Sequence, residues 1–145
     1  MSANEDVLRR LVMELQMLQE TADTIQQRIG LTYSAINELQ VAHNTLEGIK
    51  KEKKKSSLLV PIGGGSYIKS KLEDSEKLIV GIGANIAVEK TITEAQEAFQ
   101  TRLLRLEQAR NSLQKQLEEI ATKITNTRTN FQTLSEQLQE GKRIV

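Results

Sequence analysis

Apolar side chains recur at steps of three and four along two long stretches of the chain. The first reads Leu8, Leu11, Leu15, Leu18, Ala22, Ile25, Ile29, Thr32, Ile36, Leu39, His43, Leu46. The second reads Phe99, Leu103, Leu106, Arg110, Leu113, Leu117, Ile120, Ile124, Thr127, Phe131, Leu134, Leu138. Both are heptads, with a positions starting at Leu8 and Leu103 and d positions at Leu11 and Phe99. Repeats sustained this long predict coiled-coil helices rather than globular ones. Setting Leu46 opposite Phe99 brings Leu39 to Leu106, Ile29 to Leu117, Ala22 to Ile124 and Leu8 to Leu138, a facing a and d facing d. The two helices are therefore expected to pair with each other, antiparallel, in arms about 65–70 Å long at 1.5 Å per residue.

Between them the period changes. Ser57 to Val60, Ser66 to Glu73, Lys77 to Gly83 and Ile86 to Lys90 read as short strands, with Ile68, Ser70 and Leu72 alternating with Tyr67, Lys69 and Lys71. Glu73 to Glu76 reads as a hairpin turn, Gly83-Ala84-Asn85 as another, and Pro61 with Gly63, Gly64 and Gly65 as a bend or bulge, since Pro donates nothing to a ladder. The predicted divisions are an N-terminal coiled-coil helix over 1–55, a strand segment over 56–90, and a C-terminal helix and tail over 91–145. Thr91 and Glu94 offer a capping box for the second helix, and Thr93 with Gln96 an alternative. The fold class is mainly α with a small β part. Four short strands bury too little to stand alone, and their edges are open. An oligomer held through the strands is expected, with Ile68, Leu72, Leu78, Val80 and Ile82 as its candidate apolar surface.

Composition narrows the function. Charged residues are 27% of the 145, aromatic residues 3%, and there is no Cys or Trp. Lacking Cys, the chain has no disulfides, thiol nucleophile or Cys-ligated metal. The net charge of +1 gives no global signal for nucleic acid. The polar, acidic start is unlike a secretory signal, and no apolar run reaches membrane-span length. A soluble, cytoplasmic protein is expected, with no membrane or nucleic-acid partner. Gly63-Gly64-Gly65-Ser66 lacks the Lys-Ser/Thr ending of a nucleotide loop, and Gly81-Ile82-Gly83-Ala84 lacks a third Gly and opens into a strand. Sixteen of the nineteen acidic residues are Glu, spread over helix surfaces. His43 is a lone seam residue without clustered ligands. No enzyme, cofactor or metal is expected. Residues 50–90 carry nine basic and five acidic side chains, with the run at Lys50 to Lys55 at the end of the first helix. Such a run reads as a solvated helix end.

One end of the pattern differs. Met1, Met13 and Met17 all fall in the first seventeen residues, and Val7, Val12, Met13 and Met17 lie off the seam. Ile144 and Val145 add apolar side chains at the same end of the pairing. Met is flexible and suits surfaces that accept varied partners, although it also fills cores.

Two heptad arms joined by a middle reading Leu59-Val60-Pro61-Ile62-Gly63-Gly64-Gly65-Ser66-Tyr67-Ile68 and Leu78-Ile79-Val80-Gly81-Ile82-Gly83-Ala84-Asn85-Ile86-Ala87-Val88-Glu89-Lys90 resemble the α subunits of archaeal-type prefoldin across essentially the whole chain. The β-type subunit of that family has a single hairpin, and four strands favour the α type. The resemblance implies a hexamer of two α and four β subunits whose hairpins join into a β-barrel platform. It also implies a molecular chaperone that captures unfolded proteins at the coiled-coil tips without ATP and passes them to a group II chaperonin. On this reading Val7, Leu8, Leu11, Val12, Met13, Leu138, Ile144 and Val145 form the client-binding tip. The alternative is a coiled-coil scaffold whose tip binds one folded partner.

Overall fold

The computed structural model describes residues 3–144, with the side chain of Ile144 excepted. Helix α1 spans Ala3–Lys50 and helix α2 spans Ile92–Ile144. Glu5 and Asp6 lie in the first turn of α1 and Lys50 in its last, both matching the helix dipole. The start of α2 is capped by Thr91, whose Oγ1 accepts from the Glu94 N–H at 3.2 Å and donates to Glu94 Oε1 at 3.0 Å. Of the two expected caps this is the one formed. Gln96 donates instead from Nε2 to Glu47 Oε1 at 2.6 Å, tying α2 to α1. Many helical threonines donate their hydroxyls to the carbonyl four residues back. Thr21 to Met17, Thr32 to Arg28 and Thr125 to Ala121 are examples at 2.8–3.1 Å.

The chain divides into two compact units, residues 1–34 with 107–145, and residues 35–106. In the first unit α1 and α2 run antiparallel. Leu8, Val12 and Met13 share a hollow with Phe131, Met17 to Arg28 meet Gln116, and Tyr33 lies under Arg110. Every expected seam position here is half-buried or buried, with Ile25 at 6% exposure and Ile124 at 9%. Among the described residues no large side chain is fully enclosed. Two helices cover only one flank of each knob, so a layer yields less than the roughly 1.5–3 kcal/mol of complete aliphatic burial.

The second unit holds the bases of both helices and four strands, β1 Ser57–Gly63, β2 Ser66–Lys71, β3 Lys77–Gly83 and β4 Ile86–Thr91. They form two antiparallel hairpins, β1 with β2 and β3 with β4, which are separate sheets among the described residues. The hairpins repeat one another. Leu58, Val60, Ile62 and Gly63 recur twenty positions later as Leu78, Val80, Ile82 and Gly83. Each ladder slips at the same place, between Pro61 and Gly63 and between Gly81 and Gly83. Each then turns through two residues with positive φ, Gly64 (57°) and Gly65 (74°), and Ala84 (51°) and Asn85 (58°). Such turns match the twist of the strands they join.

Two expectations are corrected. Glu73 to Glu76 is not a hairpin turn: it links the hairpins, folded locally by the Glu76 N–H donating to Asp74 Oδ1 at 2.8 Å. Strand β1 also runs through Pro61 to Gly63, because Pro61 sits beside the bulge in a two-stranded sheet. The core of this unit is a cluster of Leu46, Val80, Ile92 and Ala95, with Ile49, Leu78 and Phe99 partly buried against it.

Candidate functional site

At the end of the first unit where α1 begins, the seam residues Leu8 and Leu11 are half-buried, and Leu138 of α2 likewise. Val7, Val12 and Met13 lie off the seam at 37%, 42% and 62% exposure. Leu8, Arg9, Val12, Met13 and Phe131 line a shallow hollow of about 420 Å³. The structure thus brings Leu8, Val12 and Met13 together. Phe131 joins them although its heptad position assigns it to the seam, because a seam side chain flanked by only two helices keeps one side open. Arg9 contributes through its aliphatic stem, which can line apolar surface while the guanidinium stays wet. The side chain of Ile144 and all of Val145 lie outside the described residues. Met17 is exposed and borders a neighbouring, more polar groove with Glu20, Thr24 and Arg28.

The second unit presents a different surface. Of the five residues expected to form one assembly face, Ile68 and Ile82 are more than half exposed, Leu72 and Leu78 are half-buried, and Val80 is 8% exposed. Val80 is therefore not available as free surface: it is spent on the chain's own helix bases, against Leu46, Ile92 and Ala95. Leu78 packs on the same cluster, and the bulge at Gly81–Gly83 separates Ile82 from that face. Further exposed apolar residues on the strands are Leu59, Ile62, Tyr67, Ile79 and Ile86, at 56–77%. In β1 the consecutive apolar residues Leu58, Leu59 and Val60 make both faces apolar, so alternation marks no single face there.

The remaining candidates are unremarkable in geometry. His43 is half-buried beside Gln40, Asn44, Gln100 and Leu103, as a polar seam layer. Lys51 to Lys55 are exposed, and Lys50 pairs loosely with Glu47 at 3.9 Å. A pair so solvated contributes less than about 1 kcal/mol. Among the described residues no helix is long and apolar enough to cross a membrane.

Comparison with known proteins gives a consistent picture. The family model described as "Prefoldin subunit" matches residues 7–137. The chain is 38% identical over 110 residues to a prefoldin subunit alpha of Methanopyrus kandleri, covering 76% of this chain and 70% of that one. It is 37% identical over 125 residues to the prefoldin subunit alpha of Pyrococcus horikoshii, covering 86% and 84%. Among solved structures, a chain of the filamentous PFD assembly of Methanocaldococcus jannaschii, determined by cryo-EM, superposes with a TM-score of 0.68 at 24% identity. That match covers 77% of this chain and 93% of the other, and it bears on the fold. Helix pair, twin hairpins and matching relatives agree, and the chain belongs to the prefoldin subunit family of oligomeric molecular chaperones.

Proposed function

We propose that this chain is the α-type subunit of a hexamer with two α and four β subunits, a holdase that captures unfolded proteins at its helix tips without ATP and delivers them to a group II chaperonin. The observation that carries this reading is the apolar hollow between Leu8, Val12, Met13 and Phe131, open to solvent on a scaffold of a chaperone family. An unfolded client exposes scattered apolar groups rather than a fixed epitope. Flexible Met and aliphatic side chains meet these without selecting a sequence. A single aliphatic contact is worth at most about 1.5–3 kcal/mol even when fully buried. Useful capture then relies on several arms engaging one chain, which raises the effective concentration of each further contact.

The test is a double substitution, Val12→Ser with Met13→Ser, in the assembled oligomer. Both side chains are solvent-exposed, so the helix pair should form as before. Suppression of aggregation of a chemically unfolded, unrelated protein should fall severalfold at unchanged oligomer mass. ATP should have no effect on capture, and a group II chaperonin should recover folded client from the intact assembly. Full protection by the substituted protein would remove the tip from the mechanism.

A further inference from the structure

The chain has no cysteine and no tryptophan, and its three methionines all fall within the first seventeen residues. Thioethers are therefore its most readily oxidised groups, and they are gathered at the end where α1 begins. Met1 lies outside the described residues. Met13 and Met17 stand four residues apart on one face of α1, at 62% and 68% exposure. Both lie off the seam, so a peroxide reaches either side chain without any opening of the helix pair.

Their surroundings differ. Met13 shares its hollow with Leu8, Val12 and Phe131, and the one side-chain hydrogen-bond donor lining it is Arg9. Met17 borders the polar groove, where Arg28 and Gln116 supply donors. An oxygen added to Met17 thus joins groups that are already polar. The same oxygen on Met13 enters apolar surface, and an aliphatic group docking there strips water from it with only Arg9 to replace the lost bond.

We propose that Met13 is an oxidation site through which hydroperoxides switch off the apolar hollow. The thioether sulfur attacks one oxygen of the peroxide, and the S–O bond forms as the O–O bond breaks. Sulfur gives up two electrons, and the other oxygen takes up the displaced proton and leaves as water, or as an alcohol from an alkyl hydroperoxide. The product, methionine sulfoxide, is a polar side chain in place of a flexible apolar one. Because position 13 is no part of the seam, the helix pair keeps its packing while the hollow loses its affinity for apolar groups. The change is reversible: a reductase working with a dithiol returns the thioether, releases the oxygen as water and leaves a disulfide on the dithiol. The inference rests on the reading that this hollow captures unfolded chains, and it adds a condition under which capture stops.

Three full-length chains test it, the unsubstituted one, Met13→Leu and Met17→Leu, all keeping Met1. Leucine preserves volume and apolarity but has no sulfur. Each chain is treated with mild hydrogen peroxide, freed of it and assembled with β-type subunits, and tryptic mass spectrometry reports which sulfurs carry oxygen. The readout is the ratio of aggregation suppression after treatment to that before it, within each protein, with sedimentation and circular dichroism alongside. Suppression should fall severalfold in the unsubstituted chain and in Met17→Leu, at unchanged oligomer mass and helical signal, and change little in Met13→Leu. Both epimer-specific methionine sulfoxide reductases with a dithiol should restore it. Full suppression by an unsubstituted chain that carries the sulfoxide at Met13 overturns the inference and leaves the capture reading intact. So does an equal fall in Met13→Leu, a fall that comes with dissociation or lost helix, or a Met13 that stays unoxidised while Met1 reacts. An untreated, unsubstituted assembly that suppresses nothing overturns the capture reading itself, and this inference with it.

Discussion

Arg110 occupies an a position in the seam, where an aliphatic residue would serve packing better. Its Nε is buried and has no hydrogen-bond partner among the described residues. Its guanidinium carbon stands 5.2 Å from the centre of the Tyr33 ring. Leaving a buried donor unpaired costs about 1–3 kcal/mol, and the cation–π contact returns about 0.5–1 kcal/mol at a half-exposed tyrosine. Arg110→Leu should therefore stabilise the helix pair by about 1 kcal/mol. Tyr33→Ala should cost about 0.5–1 kcal/mol with Arg110 present and almost nothing in the Arg110→Leu background. Thermal melts of the four proteins close this double-mutant cycle, and an equal cost in both backgrounds would mean the ring and the guanidinium do not interact. The heptad pattern made Arg110 legible as an anomaly in the seam. It did not disclose Tyr33 as a partner, because Tyr33 lies off the a and d positions and its contact depends on how the side chain crosses the interface.

Each element tells a similar story of signals with limited reach. The two helices are legible because a heptad repeat and a Thr-Glu cap act locally and point the same way, although α1 ends at Lys50, short of the expected 55. Hairpin pairing was less so. The polar cluster Glu73 to Glu76 signals a reversal, but turn composition does not say which strands flank it in a ladder. The twin two-residue turns settle the pairing, and they also contain a flaw. Ala84 is held at φ 51°, a region where a Cβ costs about 1–2 kcal/mol. The equivalent residue of the first hairpin is Gly64, which bears no such cost. Open space surrounds that turn position. Ala84→Gly should therefore stabilise the second hairpin by about 0.5–1 kcal/mol, after allowing for the greater freedom of glycine in the unfolded chain. Gly64→Ala should lose a similar amount. Denaturant melts of the two variants measure this, and matching shifts of the same sign would contradict it.

At the scale of the whole molecule the sequence points to two proposed jobs, assembly in the strands and contact at the helix tip, and its candidate residues for the first include ones that the core uses. Alternation identifies a face of a strand; it cannot say whether that face meets the chain's own helices or a neighbour. Val80 and Ile79 are adjacent and point opposite ways, at 8% and 77% exposure. Val80→Asp buries an unpaired charge among Leu46, Ile92 and Ala95 and should unfold the base of the subunit, lowering the melting temperature by many degrees. Ile79→Asp should leave the subunit's melting little changed and weaken the oligomer. Circular dichroism and sedimentation on the two variants distinguish these outcomes, and dissociation without loss of stability in Val80→Asp would return that residue to the interface. The hollow between Leu8, Val12, Met13 and Phe131 is less legible for another reason: a linear pattern records which residues are apolar but not which remain uncovered.

The hairpin repeat has a consequence for how such a chain can change. A hairpin brings the backbone back near its point of departure, so adding or deleting one leaves the helix ends almost where they were. The heptad phase on either side is untouched, because no residue enters a helix. A twenty-residue duplication between Ser57 and Thr91 is therefore among the least disruptive insertions this architecture allows. The number of hairpin edges doubles in one such event, with the helical arms inherited unaltered.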